Sequence, residues 1–124
     1  MKILLVDDSF TMRKIQKNIL TQLGYSDLVE ANDGMEAIAQ LKEHVANIGL
    51  ILLDWTMPNM DGLTLLQTIK KNDQFKNIPV VMVTSQAEKD KIILALKAGA
   101  VDYVVKPFTK EVLEDKIKKI TQSG

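Results

Sequence analysis

Three acids in this chain stand where short apolar runs end: Asp7 and Asp8 after Ile3–Val6, and Asp54 after Leu50–Leu53. Two further runs end in polar residues of another kind, Val80–Val83 in Thr84 and Val101–Val105 in Lys106-Pro107. If the runs are parallel strands, three carboxylates, a hydroxyl and an ammonium meet at the carboxyl-terminal edge of one sheet, where open α/β sheets bind ligands. Carboxylates held close repel one another, and without a cation at least one resists ionisation. A divalent ion resolves this. Magnesium suits better than zinc because every candidate ligand is oxygen, and better than calcium because few ligands are offered and water can fill the rest. Such an ion and Lys106 together neutralise the acids and leave a site receptive to a phosphoryl group. Asp54 is then the candidate carboxylate nucleophile. Lys106 and the ion would stabilise charge on the transferring oxygens, and Thr84 would hydrogen-bond the product.

Singly, each of these residues has an ordinary explanation. Asp8 or Ser9 is a good N-cap for a following helix, Thr84 a capping hydroxyl and Lys106 a surface charge beside a turn. Their joint position at strand ends on one side is what argues for a site. His44 reads as solvated helix surface, and the six methionines as core filler or loop contacts.

The elements that must position these residues follow from apolar spacing. Met12, Ile15, Ile19 and Leu23 form a helical stripe that Gly24 stops. A strand at Leu28–Ala31 follows, then a helix N-capped by Asp33 with its stripe at Ala37, Ile38, Leu41 and Val45. After the strand Leu50–Leu53, a third helix carries Leu65, Leu66 and Ile69. A fourth carries Ile92, Ile93 and Leu96 and ends at Gly99, and a fifth carries Val112, Leu113, Ile117 and Ile120. Five strand–helix repeats with short connections predict one α/β domain over 1–124. The runs ending at Val6, Leu53 and Val83 are purely apolar and belong in the centre. Asp27–Ala31 and Val101–Val105 mix in charge and belong at the edges. This predicts a doubly wound, five-stranded parallel sheet of order 2-1-3-4-5, flavodoxin-like, with its ligand at the switch point between the first and third strands.

Composition narrows the partners. Sixteen basic residues balance sixteen acidic ones, so no net field favours nucleic acid or an anionic membrane. Without cysteine there is neither a disulfide framework nor a thiolate metal site, which suits a reducing compartment. No apolar run approaches the ~20 residues of a membrane-spanning helix. The expectation is a cytoplasmic monomer with no exported or anchored segment and no further module.

The motifs Val6-Asp-Asp-Ser9 with Thr11-Met-Arg-Lys14, Leu53-Asp-Trp-Thr-Met-Pro58 with Met60-Asp-Gly62, Val83-Thr-Ser85 and Tyr103-Val-Val-Lys-Pro-Phe-Thr109 occur in order. Over essentially its full length the chain resembles the receiver domains of two-component response regulators. Trp55 after the acceptor position and the Lys-Pro-Phe-Thr run resemble the stand-alone chemotaxis branch. The resemblance implies that Asp54 is the phosphoacceptor, that Asp7 and Asp8 bind Mg2+, and that the Thr56 carbonyl is a further magnesium ligand. It implies that Lys106 contacts the phosphoryl group and that Thr84 and Tyr103 form a switch pair, the hydroxyl moving toward the phosphoryl group and the ring turning inward. It also implies a cis Lys106–Pro107 bond. Where this chain has Thr56 and Gln86, the family's best-known members have asparagine and glutamate; both positions flank the path of attacking water and bear on acyl-phosphate lifetime.

The function implied is a phosphorylation-driven switch, not an enzyme beyond its own magnesium-dependent phosphorylation and dephosphorylation at Asp54. The phosphodonor is a chemotaxis-type histidine kinase. The output is a flagellar motor switch protein, bound through a face carrying Lys89, Ile92, Tyr103 and Lys116, and a phosphatase is a further partner. A stand-alone phosphorelay receiver with a non-flagellar partner shares the site. An aspartyl phosphatase of haloacid-dehalogenase type is disfavoured because Asp54-Trp55-Thr56 lacks a second acid, and a flavin carrier because two carboxylates stand where a phosphate cradle is needed.

Overall fold

Continuously apolar strands can be covered on both faces, and the alternating helices supply the cover. The computed structural model describes residues 1–57, 60–85, 89–106 and 108–122, with ten elements among them. They are β1 (Lys2–Val6), α1 (Phe10–Gln22), β2 (Leu28–Ala31), α2 (Gly34–His44), β3 (Ile48–Asp54), α3 (Gly62–Lys71), β4 (Val80–Thr84), α4 (Lys89–Lys97), β5 (Asp102–Val105) and α5 (Lys110–Gln122). All strand pairs are parallel and the order is β2-β1-β3-β4-β5, as predicted.

Strand alternation splits the core into two layers. Leu4, Val6, Ile51, Leu53, Val80 and Met82 face α2, α3 and α4, meeting Leu41, Leu65, Leu66, Ile69 and Ala95. Ile3, Leu5, Leu50, Leu52, Val81, Val83 and Val104 face α1 and α5, meeting Leu20, Leu113 and Ile117.

Two boundaries depart from the apolar runs. β3 begins at Ile48, with a register shift at Gly49 as Lys2 pairs with Ile48 and Ile3 with Leu50. At its other end Asp54 still pairs with Val83, so the acid belongs to the strand. The caps fall where predicted. Ser9 accepts from the Met12 N–H and Asp33 from the Glu36 N–H, while Gly24, at φ 97°, takes the left-handed conformation that ends α1.

Three helices present faces other than their predicted stripes. In α1 the buried residues are Gln16 and Leu20, whereas Ile15 is exposed. Arg13, Gln16 and Leu20 share one face, and hydrogen bonds from Arg13 to Asp7 and Glu30 turn that face toward the sheet. In α4 only Ala95 is buried and Ile93 and Leu96 are exposed, so the inward side is that of Ala95, the small residue. In α5 Leu113 and Ile117 are buried as predicted, but Val112 is exposed. His44 is partly buried, a modest departure from a solvated face.

Candidate functional site

The sheet topology delivers the three acids to one point. β1 and β3 are neighbours in register, Val6 against Leu53, so the residues that follow, Asp7 and Asp54, emerge side by side. One carboxylate oxygen from each of Asp7, Asp8 and Asp54 lies within 4.8 Å of the others. Lys106, beyond the end of β5, reaches back over β4. Its Nζ stands 3.1 Å from Asp7 Oδ2 and 3.1 Å from Asp54 Oδ1. Asp7 is fully buried and Asp54 nearly so, while Asp8 is exposed, giving the cluster one open side.

Backbone contacts hold this arrangement. Asp7 Oδ1 accepts from the Ser9 N–H at 2.8 Å, a local Asx turn that points the carboxylate back over the start of α1. The Trp55 N–H donates to the Val83 carbonyl, and the Lys106 N–H donates to that of Thr84 at 2.7 Å, fixing the residues next to the site across β4. Gly62 lies so close beneath Asp54 that a Cβ there would stand 2.3 Å from the Asp54 carbonyl oxygen. Only glycine fits at that approach.

The electrostatics reflect an unneutralised excess of acid. Burial, and next the Asp7 charge, lift the Asp54 carboxyl above the usual carboxylate range, against the hydrogen bond and charge of Lys106. Burial alone would lower Lys106, but Asp54 and then Asp7 outweigh it and hold the ammonium above its ordinary value. One lysine thus compensates two buried acids only in part. The all-oxygen donor set and the residual negative charge fit a hard divalent cation, with Asp7, Asp8 and Asp54 as its carboxylate ligands.

Thr84, at the end of β4, is buried at the same rim. Tyr103 lies further back along β5, paired in register with Met82 and two residues short of the Thr84 partner Val105. It is half-buried, with the Lys116 ammonium 5.1 Å from its ring centre. Lys116 also pairs with Asp102 at 3.0 Å, so this cation of the predicted partner face is already engaged. Lys89 is exposed and Ile92 half-buried on α4, and Thr56 is exposed after Asp54. The Lys106–Pro107 bond and Gln86 lie outside the described residues.

Three features carried no signal in the spacing of acids. Arg13 links the Asp7 carbonyl, Glu30 and Asn32. A groove of about 280 Å³, lined by Tyr103, Phe108, Val112 and Lys116 among others, lies between β5 and α5, apart from the acids. Gln16, 2% exposed, keeps its Oε1 without a hydrogen-bond partner among the described residues. Asp7 at the strand end followed by a helix cap could have signalled the Asx turn; the Arg13 contacts, across three elements, could not be read from spacing.

Residues 3–118 match the family described as response regulator receiver domain. The chain is 48% identical over 120 residues to the chemotaxis protein CheY of Pseudomonas aeruginosa, spanning 97% of this chain and 95% of that protein. It is 46% identical over 120 residues to the chemotaxis protein CheY1 of Helicobacter pylori, spanning 97% and 96%. Among solved structures, a chain of the CheX–CheY–BeF3–Mg2+ complex from Borrelia burgdorferi is similar with TM-score 0.91 and 33% identity, covering 98% of this chain and 89% of that one. Chemotaxis protein CheY4 of Vibrio cholerae is similar with TM-score 0.87 and 31% identity, covering 96% and 97%.

Proposed function

We propose, from the premise that this chain belongs to the response regulator receiver domain family, that it is a phosphorylation-activated switch of a chemotaxis two-component system. It takes a phosphoryl group from a histidine kinase on Asp54 and, once phosphorylated, binds the flagellar motor switch. The observation that carries this reading is the single ammonium of Lys106 set between Asp7 and Asp54 beside an open, acid-lined mouth.

In the transfer, a carboxylate oxygen of Asp54 forms a bond to phosphorus as the bond from phosphorus to the donor breaks. The electron pair leaves with the donor group, and an acyl phosphate remains on Asp54. Asp7, Asp8, Asp54 and the Thr56 carbonyl would hold a magnesium ion, which would supply positive charge for the phosphoryl oxygens. Lys106 then exchanges part of its hold on Asp54 for a phosphoryl oxygen, its ammonium offsetting the charge there. Asp7, gripped by the Ser9 N–H, stays in place during that exchange. Gain of the phosphoryl group, and its loss when a water oxygen bonds to phosphorus as the bond to the Asp54 oxygen breaks and inorganic phosphate departs, are the protein's own chemistry.

The Thr84 hydroxyl, buried at the same rim, follows the new charge. Its movement frees space along the sheet edge for the Tyr103 ring, and the surface of α4, β5 and α5 changes shape. That surface, with Lys89, Ile92, Tyr103 and Lys116, receives the motor switch protein. The CheX complex of the Borrelia relative supports a second, resetting partner of phosphatase type. A phosphorelay receiver would share the same site. The chemotaxis relatives, identical to this chain at nearly half their positions, favour the chemotaxis role.

The test uses Trp55, the only tryptophan, which directly follows the acceptor. Acetyl phosphate should change its fluorescence reversibly, only with magnesium, and not in Asp54→Asn. A magnesium response without any acetyl phosphate response would sink the phosphoacceptor assignment. For the output, Tyr103→Ala or Lys116→Glu should weaken binding to an acidic helical segment of the motor switch protein with phosphorylation intact; unchanged binding in both would count against the partner.

A further inference from the structure

We propose that Arg13 is the positioning residue of the acid pocket: its guanidinium fixes the peptide unit joining Asp7 to Asp8 and so sets both carboxylates for the divalent cation. The inference rests on the metal-binding reading above and assigns a residue that does not touch the ion.

The Arg13 side chain is 12% exposed, and its donors go to three places. Nη1 donates to the backbone carbonyl of Asp7 and, at 3.1 Å, to Asn32 Oδ1, while Nε donates to Glu30 Oε1 at 3.0 Å. Glu30 is secured in turn by Lys17 at 3.1 Å. Arg13 therefore spans the end of β1, β2 and the residue after it, from a base on α1. A planar fork with several donors can do this; a single ammonium cannot.

The Asp7 carbonyl lies in the same rigid peptide plane as the Asp8 N–H. Holding that oxygen restrains the plane, which carries the Cα atoms of both residues and so restrains where both side chains leave the backbone. The two acids depend on it unequally. Asp7 has further restraints, with its N–H on the Ala31 carbonyl and its carboxylate on Ser9 and Lys106. The Asp8 carboxylate makes no hydrogen bond or ion pair among the described residues, so its place in the cluster is inherited from the backbone that Arg13 holds. Outer groups that orient metal ligands typically govern affinity by one to two orders of magnitude.

Charge alone predicts the opposite sign. A guanidinium beside a cation site repels the ion, so its removal would tighten binding if Arg13 acted only through its field. The two roles are therefore separable by direction.

The experiment is magnesium titration of the intact protein followed by Trp55 fluorescence, with the thermal midpoint of each variant recorded. Arg13→Gln should raise the magnesium dissociation constant about tenfold, and Arg13→Lys by a smaller factor. Glu30→Gln removes the charge of one Arg13 partner but leaves the Asp7 carbonyl contact, and should stay within about twofold of the parent. Magnesium affinity unchanged or tightened in both Arg13 variants overturns the proposal, as does a loss that merely tracks stability across all three. If Arg13→Gln does not fold, Arg13→Lys against Glu30→Gln decides. A parent protein with no magnesium response that Asp8→Asn abolishes overturns the metal-binding reading itself, and is distinguishable from failure of the Arg13 role.

Discussion

The units β3–α3 and β4–α4 are neighbours in the sheet, and each strand ends in a residue of the site, Asp54 or Thr84, yet their helices are held very differently. α3 buries Gly62, Leu65, Leu66 and Ile69, whereas α4 buries only Ala95 and leaves Ile93, Leu94 and Leu96 exposed. The ends of α3 are also tied. Asp61 caps it through the Thr64 N–H, Gly62 lies against the Asp54 backbone, and Lys70 donates to the Lys76 and Ile78 carbonyls beyond its last turn. Each buried leucine contributes about 1.5–3 kcal/mol, so displacing α3 costs several such amounts while displacing α4 costs little. Asp54, the proposed acceptor, is thus followed by a firmly held helix, and Thr84, in the buried strand β4, by a weakly held one. A switch needs that division, because the reacting group must stay aligned while the output surface changes.

The contrast is broken most directly by a matched pair of truncations. Leu66→Ala should cost about 2–5 kcal/mol in urea denaturation, and Leu94→Ala less than ~0.5 kcal/mol. Equal costs would show that α4 is anchored as firmly as α3. Gly62→Ala sharpens the point at the junction with Asp54. Overpacking there should cost about 1–3 kcal/mol and slow phosphorylation by acetyl phosphate; a variant with parental stability and rate would mean that the Asp54 backbone yields readily and is not fixed by α3.

α1 stands between the two extremes, deeply placed but with a polar residue facing inward. Gln16→Leu removes the unpartnered buried Oε1 and should stabilise the protein by ~1 kcal/mol, read as a shift in denaturation midpoint. Destabilisation would show that the amide is satisfied in solution.

The smallest expected effect is electrostatic. Burial raises the Glu30 carboxyl, but hydrogen bonds from Lys17 and Arg13, with their charges, outweigh it and leave the group below its ordinary value. A carboxyl lowered on folding stabilises the native state fully above pH 4.5, its ordinary value, and loses that contribution as pH falls through the folded value. Since Glu30 remains about a third exposed, Glu30→Gln should cost only ~0.5 kcal/mol at neutral pH. The difference from the parent should vanish on acidification below the folded pKa; a difference constant in pH would assign the loss to packing instead.

Much of this was legible in the chain because it depends on local chemistry. Apolar runs ended by acids gave the strand ends, and charge mixed into the runs at Asp27–Ala31 and Val101–Val105 marked the edges. Asp33 and Gly24 marked helix boundaries through side-chain capping and positive φ, which are properties of single residues. The four charged members of the site, Asp7, Asp8, Asp54 and Lys106, followed from their places at the ends of apolar runs read as parallel strands.

What tertiary structure decided was the rotation of the helices and the contacts between distant side chains. Periodicity states that α1 and α4 each have an apolar side, but their sequences offer overlapping stripes, and the choice between them depends on what lies opposite. In α1 the Arg13 fork outweighs the burial of Ile15 and turns Gln16 inward; in α4 the small Ala95 faces inward and Ile93 and Leu96 face outward. Asp8 is the limiting case. The residue type and the strand end announce a metal-binding acid, but with no partner among the described residues its position is set by a peptide plane that a residue on the following helix holds in place.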